Sequence, residues 1–96
     1  VGPAGLALGP GGALYVAERD GQRVSRIDTT GAKTVVAGTG VRGSSGDGGR
    51  AVAAQVDEPF DVVPAPGGEL FIVESGVSGG IRHIDASGVI RTIRRR

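Results

Sequence analysis

Pro3-Ala4-Gly5-Leu6-Ala7-Leu8-Gly9-Pro10-Gly11-Gly12-Ala13-Leu14-Tyr15-Val16-Ala17-Glu18 returns, 56 residues later, as Pro59-Phe60-Asp61-Val62-Val63-Pro64-Ala65-Pro66-Gly67-Gly68-Glu69-Leu70-Phe71-Ile72-Val73-Glu74. The echo resumes after one inserted residue, with Val24-Ser25-Arg26-Ile27-Asp28-Thr29-Thr30-Gly31 matched by Ile81-Arg82-His83-Ile84-Asp85-Ala86-Ser87-Gly88. A repeat of this size is one supersecondary unit copied, each copy needing a neighbour to cover its apolar faces. Two copies account for the 96 residues.

Each unit reads as four short strands. The first gives Gly5–Leu8, Ala13–Ala17, Val24–Ile27 and Lys33–Ala37; the second gives Asp61–Val63, Glu69–Val73, Ile81–Ile84 and Val89–Ile93. Glycine and proline stand at the breaks, where turns demand positive φ or a fixed corner. Leu70-Phe71-Ile72-Val73 and Ala13–Ala17 are continuously apolar, the mark of strands covered on both faces. The expectation is an all-β fold of two four-stranded antiparallel blades of a β-propeller, radially stacked. Blade one spans about 1–40, a glycine-rich connection 38–58, and blade two 59–96. In that connection, Ala51–Val56 suggests one helical turn with Ala51, Val52 and Val56 tucked inward.

Composition narrows the chemistry. Nineteen glycines and five prolines make up a quarter of the chain, but they punctuate apolar runs and follow no collagen period. With no cysteine and one histidine, His83, thiolate and multi-histidine metal sites are excluded within one chain. The net charge is +1, and removing Arg94-Arg95-Arg96 from the count leaves −2. This cluster reads as a frayed end or the point where a longer chain was cut. No basic stripe or interleaved aromatics accompany it, so a nucleic-acid partner is not indicated. No stretch approaches the roughly 20 apolar residues of a membrane helix, and no membrane partner is expected. The start at Val1, with no visible signal peptide, suggests a mature segment or an excerpt.

Thr34-Val35-Val36-Ala37-Gly38-Thr39-Gly40, Gly46-Asp47-Gly48-Gly49, and Ala51, Ala54, Gln55 and Pro59 together resemble bacterial NHL-repeat proteins. Leu14-Tyr15-Val16-Ala17-Glu18 followed by Arg23-Val24 and Ile27 fits the same pattern. The resemblance covers nearly the whole chain and implies a propeller commonly of six blades, so two blades form part of a ring. It also implies a role in binding proteins, or in some cases RNA or a sensed ligand; a minority of related propellers are enzymes. The chain departs from the pattern at Glu18 and Glu74, where aspartate is usual. The second copy departs further at Gly80, matching Arg23, and at Asp61, matching Gly5. The stretch from Gly9 to Glu18 is also similar to propeller lyases that inactivate streptogramin antibiotics. Those carry histidine near the opening proline, where this chain has Ala4 and Phe60.

Candidate sites follow from this frame. Arg19, Asp20, Gln22 and Arg23 form a charged hairpin tip suited to contacting a partner, and Arg42 and Asp47 sit in the glycine-rich connection. Glu18 and Glu74 end equivalent strands, where ringed carboxylates can hold a metal or a cation; Asp47 among its glycines is a further oxygen donor. The expectation is nonetheless no catalytic residue, resident metal or cofactor in this segment, with a protein or small molecule bound through loops on one face. The alternative is part of a propeller lyase or hydrolase with a metal-assisted site near the axis. Gly38-Thr39-Gly40-Val41-Arg42-Gly43 matches a dinucleotide fingerprint, but the residues after it cannot readily start the helix that would hold a pyrophosphate. Gly76-Val77-Ser78-Gly79-Gly80 with His83 and Asp85 matches a nucleophile elbow in letters only, since it lies in a hairpin. Two blades cannot close a ring, so flanking blades of the same protein or a homo-oligomer, such as a trimer, would complete it.

Overall fold

A computed structural model describes residues 5–77 and 79–95. Two four-stranded antiparallel sheets follow one another along the chain. The first contains β1 (Gly5–Leu8), β2 (Leu14–Glu18), β3 (Arg23–Ile27) and β4 (Lys33–Ala37); the second contains β5 (Pro59–Ala65), β6 (Glu69–Glu74), β7 (Gly80–Ile84) and β8 (Ile90–Arg95). Each sheet runs in simple meander order. The sheets are copies in register as well as in sequence: Leu14 faces Ile27 as Leu70 faces Ile84, and Val24 faces Ala37 as Ile81 faces Arg94.

The strand boundaries read from sequence hold in the main, with two informative differences. β5 runs through Pro64, two residues beyond its expected extent at each end. An edge strand tolerates this because the missing proline N–H costs no ladder bond on its unpaired side. β8 continues through Arg94 and Arg95, paired with Ile81 and Gly80, so the terminal arginines begin as strand and not as a frayed end.

Turn chemistry explains why the hairpins form. Gly11 and Gly12 adopt φ of 77° and 86°, and Gly67 and Gly68 repeat this at 83° and 85°. A Pro-Gly-Gly corner with two consecutive left-handed residues strongly favours glycine at both. Asp28 and Asp85 close the other turns alike: each Oδ1 accepts backbone N–H bonds two and four residues on, from Thr30 and Ala32 and from Ser87 and Val89.

The core lies between the sheets. Ala17, Val24 and Ala37 from the first meet Val62, Leu70, Ile72, Ile84 and Ile90 from the second, all at most 4 % exposed. Burying side chains such as Ile72 and Ile90 contributes roughly 1.5–3 kcal/mol each. The connection between sheets is not an open loop. It runs out along β8, with Gly48 N–H donating to Ile90 C=O at 2.7 Å and Ala51 N–H to Gly88 C=O at 2.8 Å. It then returns beside itself, as Gln55 N–H donates to Ser45 C=O and Gly43 N–H to Val56 C=O. The helical turn is a 3-10 turn, Ala51–Ala53, not one reaching Val56. Three residues per turn place Ala54 beneath Ala51, so Ala51, Ala54 and Val56 are buried while Val52 is 41 % exposed.

Candidate binding face

The two ends of the sheets differ in kind. One is closed by the tight turns after β1, β3, β5 and β7. At the other, the β2–β3 hairpin, the connection and the β6–β7 loop converge. Gln22, at φ 55°, accepts the Glu58 N–H through its Oε1 at 2.8 Å, tying the first hairpin to the second sheet. Arg23 lies over Gly40 and donates to the Thr39 carbonyl at 3.3 Å. Ser75 donates through both N–H and hydroxyl to the Glu58 carbonyl. Buried Asp57 receives the Arg42 Nε at 2.6 Å, while Arg42 Nη2 stands 4.0 Å from Glu58.

The sequence candidates therefore separate by situation. Arg19 and Asp20 are exposed at the hairpin tip, 4.0 Å apart. Arg42 is half exposed and reaches this surface from its pair with Asp57. Gln22 is buried and Arg23 half-buried, each occupied in joining segments. Exposed Val41 and Val77 complete the surface, at 59 % and 86 %. Ser78 and Ala4 lie outside the described residues.

Asp47 sits elsewhere, in a charged cluster within the wedge between the sheets. Fully buried Arg82 donates through Nε to Asp47 Oδ1 at 3.1 Å, with Nη2 at 2.9 Å from the same oxygen. Its Nη1 donates to the Gln55 carbonyl at 3.0 Å and to Glu74 Oε2 at 3.1 Å. Glu74 Oε2 also accepts the Asp57 N–H, and Asp47 Oδ2 accepts the Thr92 hydroxyl. Burial pushes Glu74 up, outweighing the Asp57 N–H and the Arg82 charge. Burial also pushes Asp47 up, but the Thr92 hydroxyl, Arg82 and Arg95 together bring it below its ordinary value. In the first sheet Ser25 replaces Arg82, donating to Glu18 Oε1 at 3.1 Å, and Lys33 approaches Glu18 Oε2 at 2.7 Å.

These opposite shifts give a pH prediction with a definite sign. The Asp47 contribution is present above the unfolded carboxylate value and is lost as pH falls through its lowered folded value. The Glu74 contribution is full below the unfolded value and is lost as pH rises through its raised folded value. Asp47→Asn is expected to flatten the acid side of a stability–pH curve, and Glu74→Gln to remove a loss on the rising side. Urea midpoints between about pH 3 and pH 7 measure both.

Sequence reasoning missed Arg82, Asp57 and Lys33. The available signal for Arg82 was a charge on β7 in the place of Ser25, between Ile81 and His83. His83 stands toward the tight-turn end, with Nε2 2.8 Å from Glu69 and its ring 4.8 Å from that of Phe71. Asp85 is engaged in its own turn and with Arg91 at 3.4 Å. Among the described residues, no three His, Asp or Glu side chains are grouped to hold a metal ion. No helix follows the Gly38–Gly43 stretch before the 3-10 turn at Ala51.

With this geometry in view, solved structures supply a comparison. Virginiamycin B lyase from Staphylococcus aureus aligns over 94 % of this chain and 26 % of its own, with a TM-score of 0.64 and 18 % identity. A streptogramin B lyase structure aligns over 98 % of this chain and 27 % of its own, with a TM-score of 0.68 and 21 % identity. The chain is two blades of a β-propeller. It spans about a quarter of the length of these propellers. At such identity the likeness concerns the fold. No protein-family model matches the chain. In propeller terms, the first strand of each blade packs toward its neighbour, and the linker fills the wedge where the blades diverge.

Proposed function

We propose that the chain is a pair of NHL-type blades from a larger ring, acting as a binding module at its loop-rich end. The observation that carries this reading is the asymmetry of the two ends. Exposed Arg19, Asp20, Val41, half-exposed Arg42 and exposed Val77 share one end, mixing charge with apolar side chains, while tight turns close the other. Loops on a rigid frame are where recognition concentrates. The partner is a protein or small ligand, and blades flanking this pair complete the ring.

The test is capture of partners by the complete protein, compared across variants. Arg19→Glu/Asp20→Lys and Val77→Ser are expected to lose at least about 10-fold in retained partner, a difference of about 1.4 kcal/mol. Ala86→Arg, on an exposed turn at the other end, is expected to retain it. Equal loss from all three variants would sink the assignment to one end.

The second reading is a lyase, favoured by the similarity to two lyase propellers. It predicts that the complete protein consumes a streptogramin B substrate, followed by mass spectrometry. Glu18, partly exposed at the first blade, is the carboxylate to replace by glutamine in that assay. Intact substrate after prolonged incubation with the complete protein removes this reading.

A further inference from the structure

The contact between the two blades shows what a blade must offer to receive the next one. On blade one the receiving row is Gly5, Ala17, Val24 and Ala37, aligned across the four strands. A Cβ on Gly5 would stand 2.5 Å from the Phe60 carbonyl oxygen and 3.2 Å from the Asp61 Cα, so β5 lies directly upon it. Ala17, Val24 and Ala37 have no exposed surface, and the linker turn sits beside Ala37, with Gly38 N–H donating to Ala51 C=O at 3.0 Å. Small residues make this approach possible.

The matching row on blade two is Asp61, Val73, Ile81 and Arg94. Every position has grown, and both ends have become charged. Asp61 is exposed, its Oδ1 turned onto its own Val62 N–H at 2.9 Å. Arg94 is exposed, and neither it nor Asp61 joins an ion pair among the described residues. Beside Val73 and Ile81 a recess of about 200 Å³ remains, bordered also by Gly80, Arg94 and Arg95. Val63 and Ile93, 50 % and 57 % exposed, continue the apolar part of this face.

We infer that Asp61 and Arg94 bar a second copy of this chain from docking on the outer face of blade two, and fit that face to a protein surface setting a basic side chain against Asp61 and an acidic one against Arg94. A second copy would dock as blade two docks on blade one, bringing Leu6 where Val62 sits. Val62 is 1 % exposed in that contact and Leu6 is its counterpart in the repeat. An apolar residue there leaves the Asp61 carboxylate desolvated with its own Val62 N–H but no counter-charge, an unfavourable arrangement. A cation in its place satisfies the carboxylate and supplies complementarity across the seam. The inference is independent of the loop-end reading, since it concerns a blade face.

Sedimentation velocity of the isolated chain tests it, using a copy with altered charge as the probe. The natural chain is expected not to add copies head to tail. Leu6→Arg, at a site 59 % exposed and so compatible with folding, is expected to associate at least about 10-fold more tightly. High salt and the added change Asp61→Asn are each expected to abolish that gain. Asp61→Gly/Arg94→Ala, which restores small uncharged ends to the row, is expected to gain association by the second route. Head-to-tail association of the natural chain as tight as that of Leu6→Arg overturns the inference. So does a Leu6→Arg gain that survives Asp61→Asn, or the absence of a gain in both variants.

Discussion

Arg82→Met is expected to cost about 3–5 kcal/mol near neutral pH, the range for removing one partner of a buried ion pair. Methionine keeps the unbranched apolar stem but withdraws the guanidinium that serves Asp47, Glu74 and the Gln55 carbonyl. Asp47, with a side chain 38 % exposed, can turn to water; Glu74, fully buried, cannot. Its carboxylate is already pushed toward the protonated form by burial. The penalty is therefore expected to shrink as pH falls and Glu74 takes up a proton. Against a typical total of about 5–15 kcal/mol for a folded domain, the loss at neutral pH is a large fraction. The double variant Arg82→Met/Glu74→Gln is expected to recover part of it, because it removes the buried negative charge while an amide oxygen at 74 can still accept the Asp57 N–H. Urea denaturation monitored by circular dichroism measures all three quantities. A single-variant loss below about 1 kcal/mol would place this pair with ordinary surface bridges and defeat the argument.

Gly80→Ala is the second large effect expected, at about 3 kcal/mol, the upper end for overpacking. The added methyl would run into the Arg94 carbonyl and lie 2.9 Å from the Arg95 Cα. These are backbone atoms of the paired strand, so no rotamer change relieves the clash. β8 must move off β7 where the register already shifts between Ile81 and Arg82. The movement would carry Arg95 away from Ser44 and Asp47, loosening the cluster around Arg82. Gly88→Ala offers a contrasting case: it sits at φ 87° with open space around it, so any cost there is backbone strain alone. Equal unfolding midpoints for natural chain and Gly80→Ala would show that β8 yields freely.

The repeat made the fold legible because it fixed strand order, turn positions and the covered faces at once. Leu70-Phe71-Ile72-Val73 reads as a strand enclosed on two sides, and Leu70 and Ile72 are indeed core while Phe71 and Val73 are only half covered. The Pro-Gly-Gly corners were legible for a local reason, since successive left-handed residues strongly favour glycine. The charged cluster was not legible. Asp47 and Arg82 are 35 residues apart, and neither the pattern of the linker nor that of β7 announces the other. Gln22 illustrates the same limit: its place in a polar hairpin suggests a contact residue, yet its amide oxygen holds the Glu58 N–H. Side chains that join segments distant in sequence are chosen by the closure of the wedge, which local pattern does not encode.

The linker raises a question of phase. Between Arg42 and Ala51 most of its bonds to a sheet run to the second blade: to Ile90 and Gly88 along the rim strand, and to Arg82 through Asp47, although Ala51 also accepts the Gly38 N–H. The period visible in the sequence opens at Pro3 and again at Pro59, so it assigns these residues to the preceding copy. The interactions assign them to the following one. The transplantable module is thus out of step with the written repeat, beginning near Arg42 and closing at the end of β8. A chimera joined at Pro59 would import a sheet without the Asp47 that grips its arginine, whereas one joined before Arg42 would carry its own clasp.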